Sequence, residues 1–163
     1  MSLNHIIDDS KFRPKIDANF KTLKINDSRL IVNYPVSWAG DLDNSTLDRY
    51  PRLHATSNDV APGTLTQSSI FIVPYLGYIT AITLQKESNT RAVTFDINGS
   101  LTPNLLTFVM LEGTTRQVIT DITWRVVQQG EQIYLRCIGD VGTGLPGEVN
   151  ATIYISPINE QIG

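Results

Sequence analysis

The sequence predicts an all-β sandwich, and three observations carry that prediction. From Ser69 to Ser156 apolar and polar residues alternate in run after run. Turn residues interrupt the runs at short intervals, and no helical period comes between them. Val93, Phe95 and Ile97 alternate with Thr94 and Asp96; Ile133, Leu135 and Cys137 alternate with Gln132, Tyr134 and Arg136; Val149, Ala151, Ile153 and Ile155 alternate with Asn150, Thr152 and Tyr154. Successive side chains on a strand point to opposite faces, so each run sends one set into a core and the other outward. Several such runs at roughly 8–12-residue spacing are the rhythm of a sandwich or barrel.

The elements follow in order. Residues 1–35 read as an arm. Leu3, Ile6 and Ile7 form a small apolar cluster, and Phe12, Ile16 and Phe20 are spread beyond it. Pro14 forbids one regular helix through the region unless it sits in a first turn. Leu23–Ile25 and Leu30–Val32 suggest two short strands around Asn26–Arg29. These apolar groups are too few for an independent core, and a segment of this kind gains order by packing on something else. Residues 36–64 read as an irregular connector punctuated by Trp38, Gly40, Pro51, Pro62 and Gly63. Residues 65–163 hold the β head, with strands expected at Thr66–Val73, Tyr78–Gln85, Ala92–Asn98, Leu105–Glu112, Gln117–Val127, Gln132–Ile138 and Glu148–Ser156. Pro74 and Gly77, Asn98–Gly99, Gly113 and Gly130 mark turns between them, Asn98–Gly99 being the dipeptide that supplies positive φ to a hairpin.

Composition bounds the function. The chain has 163 residues, 41% hydrophobic and 18% charged, with a formal net charge of −3. It can build a substantial core, and it lacks the clustered basic residues that nucleic-acid binding requires. No apolar run approaches the roughly 18–20 residues of a membrane span. Met1–Ser10 lacks the basic-then-apolar layout of a secretory signal. Cys137 stands alone, so no intrachain disulfide is expected, and its alternating apolar position reads as a buried structural thiol. These features predict synthesis in a reducing cytoplasm. Up to Arg52 there are 8 basic and 7 acidic residues, and after it 5 and 9. That shift from a charge-dense segment to a sparsely charged one places a boundary near residues 53–65.

No motif specifies a reaction. Gly142–Gly147 matches G-x-G-x-x-G, but Pro146 intervenes and a strand pattern follows where a phosphate site needs a helix. His5 and His54 lack metal-ligand spacing. Asp41, Asp43, Asn44 and Asp48 supply oxygens but stop short of a calcium loop, and read as a solvated acidic segment. Scattered carboxylates give no pair for glycoside hydrolysis. The chain is therefore read as a non-enzyme with no cofactor and no metal. Trp38 is a candidate to stack on a sugar or to pack, and Trp124, in an apolar strand, reads as core.

The run Ile70–Phe71–Ile72–Val73–Pro74–Tyr75–Leu76–Gly77–Tyr78–Ile79–Thr80–Ala81–Ile82 resembles the opening of small jelly-roll modules in virion proteins, which are themselves similar to trimeric heads of the tumour-necrosis-factor and C1q type. Ile122–Thr123–Trp124, followed by Gln129–Gly130–Glu131–Gln132–Ile133–Tyr134–Leu135–Arg136 and a last strand Asn150–Ile155, fits the same pattern. Leu3–Asp8 and Asn19–Ile25 are similar to the attachment segment before such heads. The resemblance implies an antiparallel jelly-roll β-sandwich with an extended N-terminal arm. It also implies a homotrimeric virion-surface spike, fibre or capsid-decorating head. Leu3, Ile6, Ile7, Phe12, Ile16 and Phe20 would then anchor it to a capsid or other virion protein. Ile82, Leu84, Tyr134 and Tyr154 are candidates for the trimer interface; alternatively the first two belong to the core and the tyrosines are ordinary surface aromatics. Loops on a rigid β scaffold commonly carry binding. Asn89 and Arg91, Thr114 and Arg116, and Thr143, in the loops Glu87–Arg91, Glu112–Arg116 and Gly139–Gly147, are candidates for contact with a host receptor or glycan. The alternative is a free-standing carbohydrate-binding sandwich.

Overall fold

The computed structural model describes residues 24–25, 28–29, 33–42, 48–56, 59–87, 91–120, 122, 125–139 and 147–158. The chain divides into two compact units, Met1–Val32 and Asn33–Gly163. In the first unit β1 (Lys24–Ile25) pairs antiparallel with β2 (Ser28–Arg29). The expected anchoring residues Leu3, Ile6, Ile7, Phe12, Ile16 and Phe20 lie outside the described residues.

The second unit is an antiparallel jelly-roll sandwich. Its strands are β3 (Tyr34–Asp41), β4 (Arg52–Leu53), β5 (Ile70–Ile72), β6 (Gly77–Lys86), β7 (Val93–Gly99), β8 (Leu106–Met110), β9 (Arg116–Ile119), β10 (Arg125–Val127), β11 (Gln132–Gly139) and β12 (Glu148–Pro157). One sheet runs β10-β6-β12-β3-β4, with β9 also paired to β6; the other runs β5-β11-β7-β8. From β5 onward the chain crosses repeatedly from sheet to sheet, so most neighbours within a sheet, β7 and β8 excepted, come from distant sequence. The alternating apolar residues meet between the sheets, where Leu84, Ile153 and Trp38 of one face pack with Phe95, Ile97 and Leu135 of the other, all fully buried.

Two expectations are corrected. Residues 36–41 are not connector. β3 pairs along its whole length with β12, from Tyr34 against Ile155 to Asp41 against Glu148. Val36 and Trp38 point into the core, and Ser37 and Thr152 share a side-chain hydrogen bond of 2.8 Å across the pair. Pro35 and Gly40 disguise this strand in the sequence. Pro35 faces β12, and β4 joins the other side of β3 only at Trp38 and Ala39, a place where a missing N–H is tolerated. Gly40 suits a crowded position, since a Cβ there would approach Asp59 O and Ala61 Cβ to 3.1 Å. The single strand expected over Gln117–Val127 is two. Ile119 faces Ile82 and Arg125 faces Ile79, so the edge chain takes six steps where β6 takes three, and β9 and β10 do not continue one another.

The turn chemistry also shifts at one place. Gly113 and Gly130, read as turn markers, take positive φ, but after β7 the positive φ falls on Asn104 rather than on Asn98–Gly99. Asn98 instead accepts a hydrogen bond from the Asn104 N–H at 3.1 Å, and the Gly99 N–H donates to Thr102 O at 3.0 Å. Gly99 is needed because a Cβ there would collide with the Glu131 carboxylate. Glu131 is fully buried. Its Oε1 accepts the Thr102 N–H at 3.1 Å and its Oε2 the Gln128 N–H at 2.9 Å, so one carboxylate joins the β7–β8 turn to the β10–β11 turn. Both oxygens must accept. Glu131→Gln turns one acceptor into a donor facing an N–H, and we expect urea unfolding to show a loss of about 1–3 kcal/mol. A variant as stable as the parent contradicts this clamp.

Candidate functional site

The strand ends that flank the loops singled out in the sequence lie at one end of the sandwich, because antiparallel pairing brings them together. Val93 faces both Met110 and Gly139. Gln85 faces Arg116 and Asn150, and Glu148 faces Asp41. The segments after β6, β8 and β11 therefore share this end. Backbone bonds tie them: the Lys86 N–H donates to Thr115 O at 3.0 Å, the Glu87 N–H to Glu148 O at 2.8 Å, and the Leu42 N–H to Gly147 O at 3.0 Å.

Lys86 is the group at this end whose role the sequence reading missed. It is only 1% exposed. Its Nζ donates to Arg91 O, and to Leu111 O at 2.9 Å, so a single ammonium holds the β6–β7 loop against the β8–β9 loop. Burial pushes its pKa down, and the nearby Glu112 carboxylate opposes that shift. The folded value thus lies below the 10.5 of an ordinary lysine. Between the two values the unfolded chain holds more protons, and this group makes stability rise with pH across that window. The signal was in the parity of the strand: Ile82, Leu84 and Lys86 lie on the inward set, and a lysine on that set has to find acceptors inside.

The candidate contact residues divide. Arg91 and Thr114 are half-buried and Arg116 is exposed at this end, while Asn89 and Thr143 lie outside the described residues. The four interface candidates do not form one surface. Ile82 and Leu84 are fully buried in the core, because the inward set of β6 runs through them; they cannot line an interface. Tyr154, half-buried, stands on the outer face of the larger sheet beside Ala81 and Pro35. Tyr134, also half-buried, stands on the outer face of the smaller sheet beside Asn98. The two tyrosines thus lie on opposite faces of the sandwich.

Other candidates resolve as packing. Trp38 is fully buried and its Nε1 donates to Ser69 O at 2.9 Å, so it offers no face to a sugar. Trp124 lies outside the described residues. Cys137 is buried, and burial together with Asp96 pushes its thiol well above the ordinary range, which suppresses the nucleophilic thiolate. Gly147 leads directly into β12 rather than into a helix, so the glycine-rich loop lacks the helix end that phosphate binding requires. Among the described residues no three His, Cys, Asp or Glu side chains cluster to hold a metal ion.

No protein-family model matches the chain, and no curated protein matches it. Among solved structures it is similar to the globular domain of the zebrafish complement 1qA protein, at 15% identity and a TM-score of 0.46, over 80% of this chain and 100% of that one.

Lys86→Met keeps the length and bulk of the side chain but leaves two carbonyl oxygens without their donor. We expect a loss of about 1–3 kcal/mol in urea unfolding, with amide exchange accelerated at Arg91 and from Leu111 to Thr115. Unchanged exchange in both segments contradicts the view that Lys86 orders this end.

Proposed function

We propose that this chain is a homotrimeric head of a virion surface, a spike tip or capsid decoration, anchored by its N-terminal arm and presenting the gathered loops to a host receptor. The observation that carries this reading is the polarity of the sandwich. The second unit begins at Asn33 and runs into β3, whose first residue Tyr34 faces Ile155 near the end of β12. The chain leaves by the same end, where the Ile158 N–H donates to Leu76 O at 2.9 Å. The loops tied by Lys86 occupy the opposite end. A head joined to its support at one end and carrying its loops at the other has the layout of an attachment device.

Ile72, Tyr75, Leu101 and Val126 are large, exposed apolar side chains, and all four lie at the end where the chain enters. Leu111 and Val60 are exposed at the loop end and Val109 and Val118 on the strands, so the group of four is one of several apolar surfaces open to contact with another protein. The middle of the larger sheet's outer face is also uncharged, with Pro35, Ser37, Ala81, Thr83, Thr152 and Tyr154 in adjacent positions. A cyclic trimer needs two different surfaces on each subunit, and these two surfaces meet that requirement.

Mass in solution tests the assembly. Three chains of 18.1 kDa make about 54 kDa, and we expect that species by light scattering coupled to size exclusion. A chain lacking residues 1–20 is expected to remain folded and to be lost from its particle. An 18.1 kDa monomer removes the trimer and favours a free-standing carbohydrate-binding module. Undiminished incorporation of the truncated chain removes the anchor.

A further inference from the structure

The chain contains one Asn–Gly pair, Asn98–Gly99, and in an open polypeptide that is the pair most prone to lose its side-chain amide. The reason is local. Glycine has no Cβ, so its backbone nitrogen is unhindered and, on losing its proton, attacks the asparagine Cγ. The new N–C bond closes a succinimide ring, the bond from Cγ to Nδ2 breaks, and the amide leaves as ammonia. Water then opens the ring at either carbonyl and leaves aspartate or isoaspartate. The sequence needs only water and a backbone free to rotate.

The folded head denies each requirement of that attack. Asn98 and Gly99 end β7 and lie in register with Tyr134 and Ile133 of β11. Ring closure needs the asparagine Cβ and the next nitrogen nearly eclipsed about the Cα–C bond, and extended strand backbone is rotated far from that. The Gly99 N–H is occupied, donating to Thr102 O at 3.0 Å. The Asn98 side chain is held at both atoms: Oδ1 accepts the Asn104 N–H at 3.1 Å, and Nδ2 donates to Asp96 O at 3.3 Å. Asn98 is 8% exposed and Gly99 is buried, which keeps water from the pair. Glu131, seated against Gly99, holds the Thr102 N–H of the same turn.

We propose that Asn98–Gly99 is a latent modification site: the folded β7–β8 turn keeps it closed, and opening of that turn lets Asn98 deamidate. The change is one-way. An aspartate at position 98 sets a carboxylate against Asp96 O, where the amide had donated, in a turn that already buries the Glu131 carboxylate. An acceptor facing an acceptor away from water is costly. Isoaspartate adds a methylene to the main chain and displaces Gly99 from its place opposite Ile133. Either product fits the turn less well than asparagine, so a chain that has dwelt open returns to the native state less completely. The site stands whether or not the chain trimerises or the loops bind a receptor.

The test ages the full chain at mildly alkaline pH, folded in buffer and unfolded in guanidinium chloride at the same temperature. Peptide mass spectrometry follows amide loss at each asparagine, and chromatography separates aspartate from isoaspartate. In the unfolded chain Asn98 is expected to convert fastest of the asparagines, to a mixture of both products. In the folded chain conversion at Asn98 is expected to be at least about tenfold slower, the opening equilibrium of the turn setting the ratio. Glu131→Gln is expected to speed it in the folded chain, together with amide exchange at Gly99 and Asn104. On dilution of the aged, unfolded chains, those with Asn98 intact are expected to be enriched in the refolded fraction. Equal rates in folded and unfolded chains overturn the closure, and an unfolded chain that keeps its Asn98 amide overturns the site. Refolded material modified in the same proportion as the starting chains overturns the one-way consequence. A folded Glu131→Gln chain with unchanged conversion overturns the part assigned to that carboxylate. The comparison of folded and unfolded wild-type chain decides the site even where that variant fails to fold.

Discussion

The structure depends on the position of its last strand. β12 is not an edge; it lies between β3 and β6 and is paired with both over most of its length. The larger sheet cannot close until residues 148–157 insert beside a strand that begins more than a hundred residues earlier. Ser37 and Thr152, hydrogen-bonded across that ladder, are separated by 115 positions. Such non-local pairing defers the reward for loop closure and predicts slow, cooperative folding. It also gives the head its polarity. With β3 and β12 antiparallel and central, the first residue of one and the last of the other fall at the same end, and the loops are left at the opposite one.

Polar groups buried at each end hold that arrangement. Glu131 serves one end and Lys86 the other, each bonded to backbone atoms of two separate turns. A sandwich core is apolar and non-directional, and it does not by itself choose loop conformations. A buried carboxylate that must receive N–H groups, or a buried ammonium that must reach carbonyls, does choose, because the alternatives leave a charge unsatisfied. The loop end proposed for binding stands on that rigidity, its loops fixed by Lys86.

Much of this was legible in the residues. Strict alternation located β6, β7, β11 and β12 to within a residue or two, and the glycines at 113 and 130 marked real positive-φ turns. What escaped has physical reasons. β3 was hidden because Pro35 and Gly40 imitate loop punctuation, although one sits where no donor is needed and the other where a Cβ would crowd Ala61 and Asp59. Ile82 and Leu84 stood in the sequence as interface candidates or core, and only their full burial between the sheets decides for the core. The meeting of Asp48, Asp96 and Arg136 in one ion-pair row was beyond local patterns, since it joins three stretches of chain through an irregular segment.

The claim on which the account turns is that the folded head begins at residue 33 and is complete only with β3. The direct measurement compares chemical unfolding of residues 33–163 with that of residues 65–163. The account predicts a single cooperative transition for the longer chain. It predicts none for the shorter one, which lacks the strand against which β12 packs and the core side chains Val36 and Trp38. Equal, cooperative stability of the shorter chain would contradict it, and would return residues 36–64 to the role of a connector.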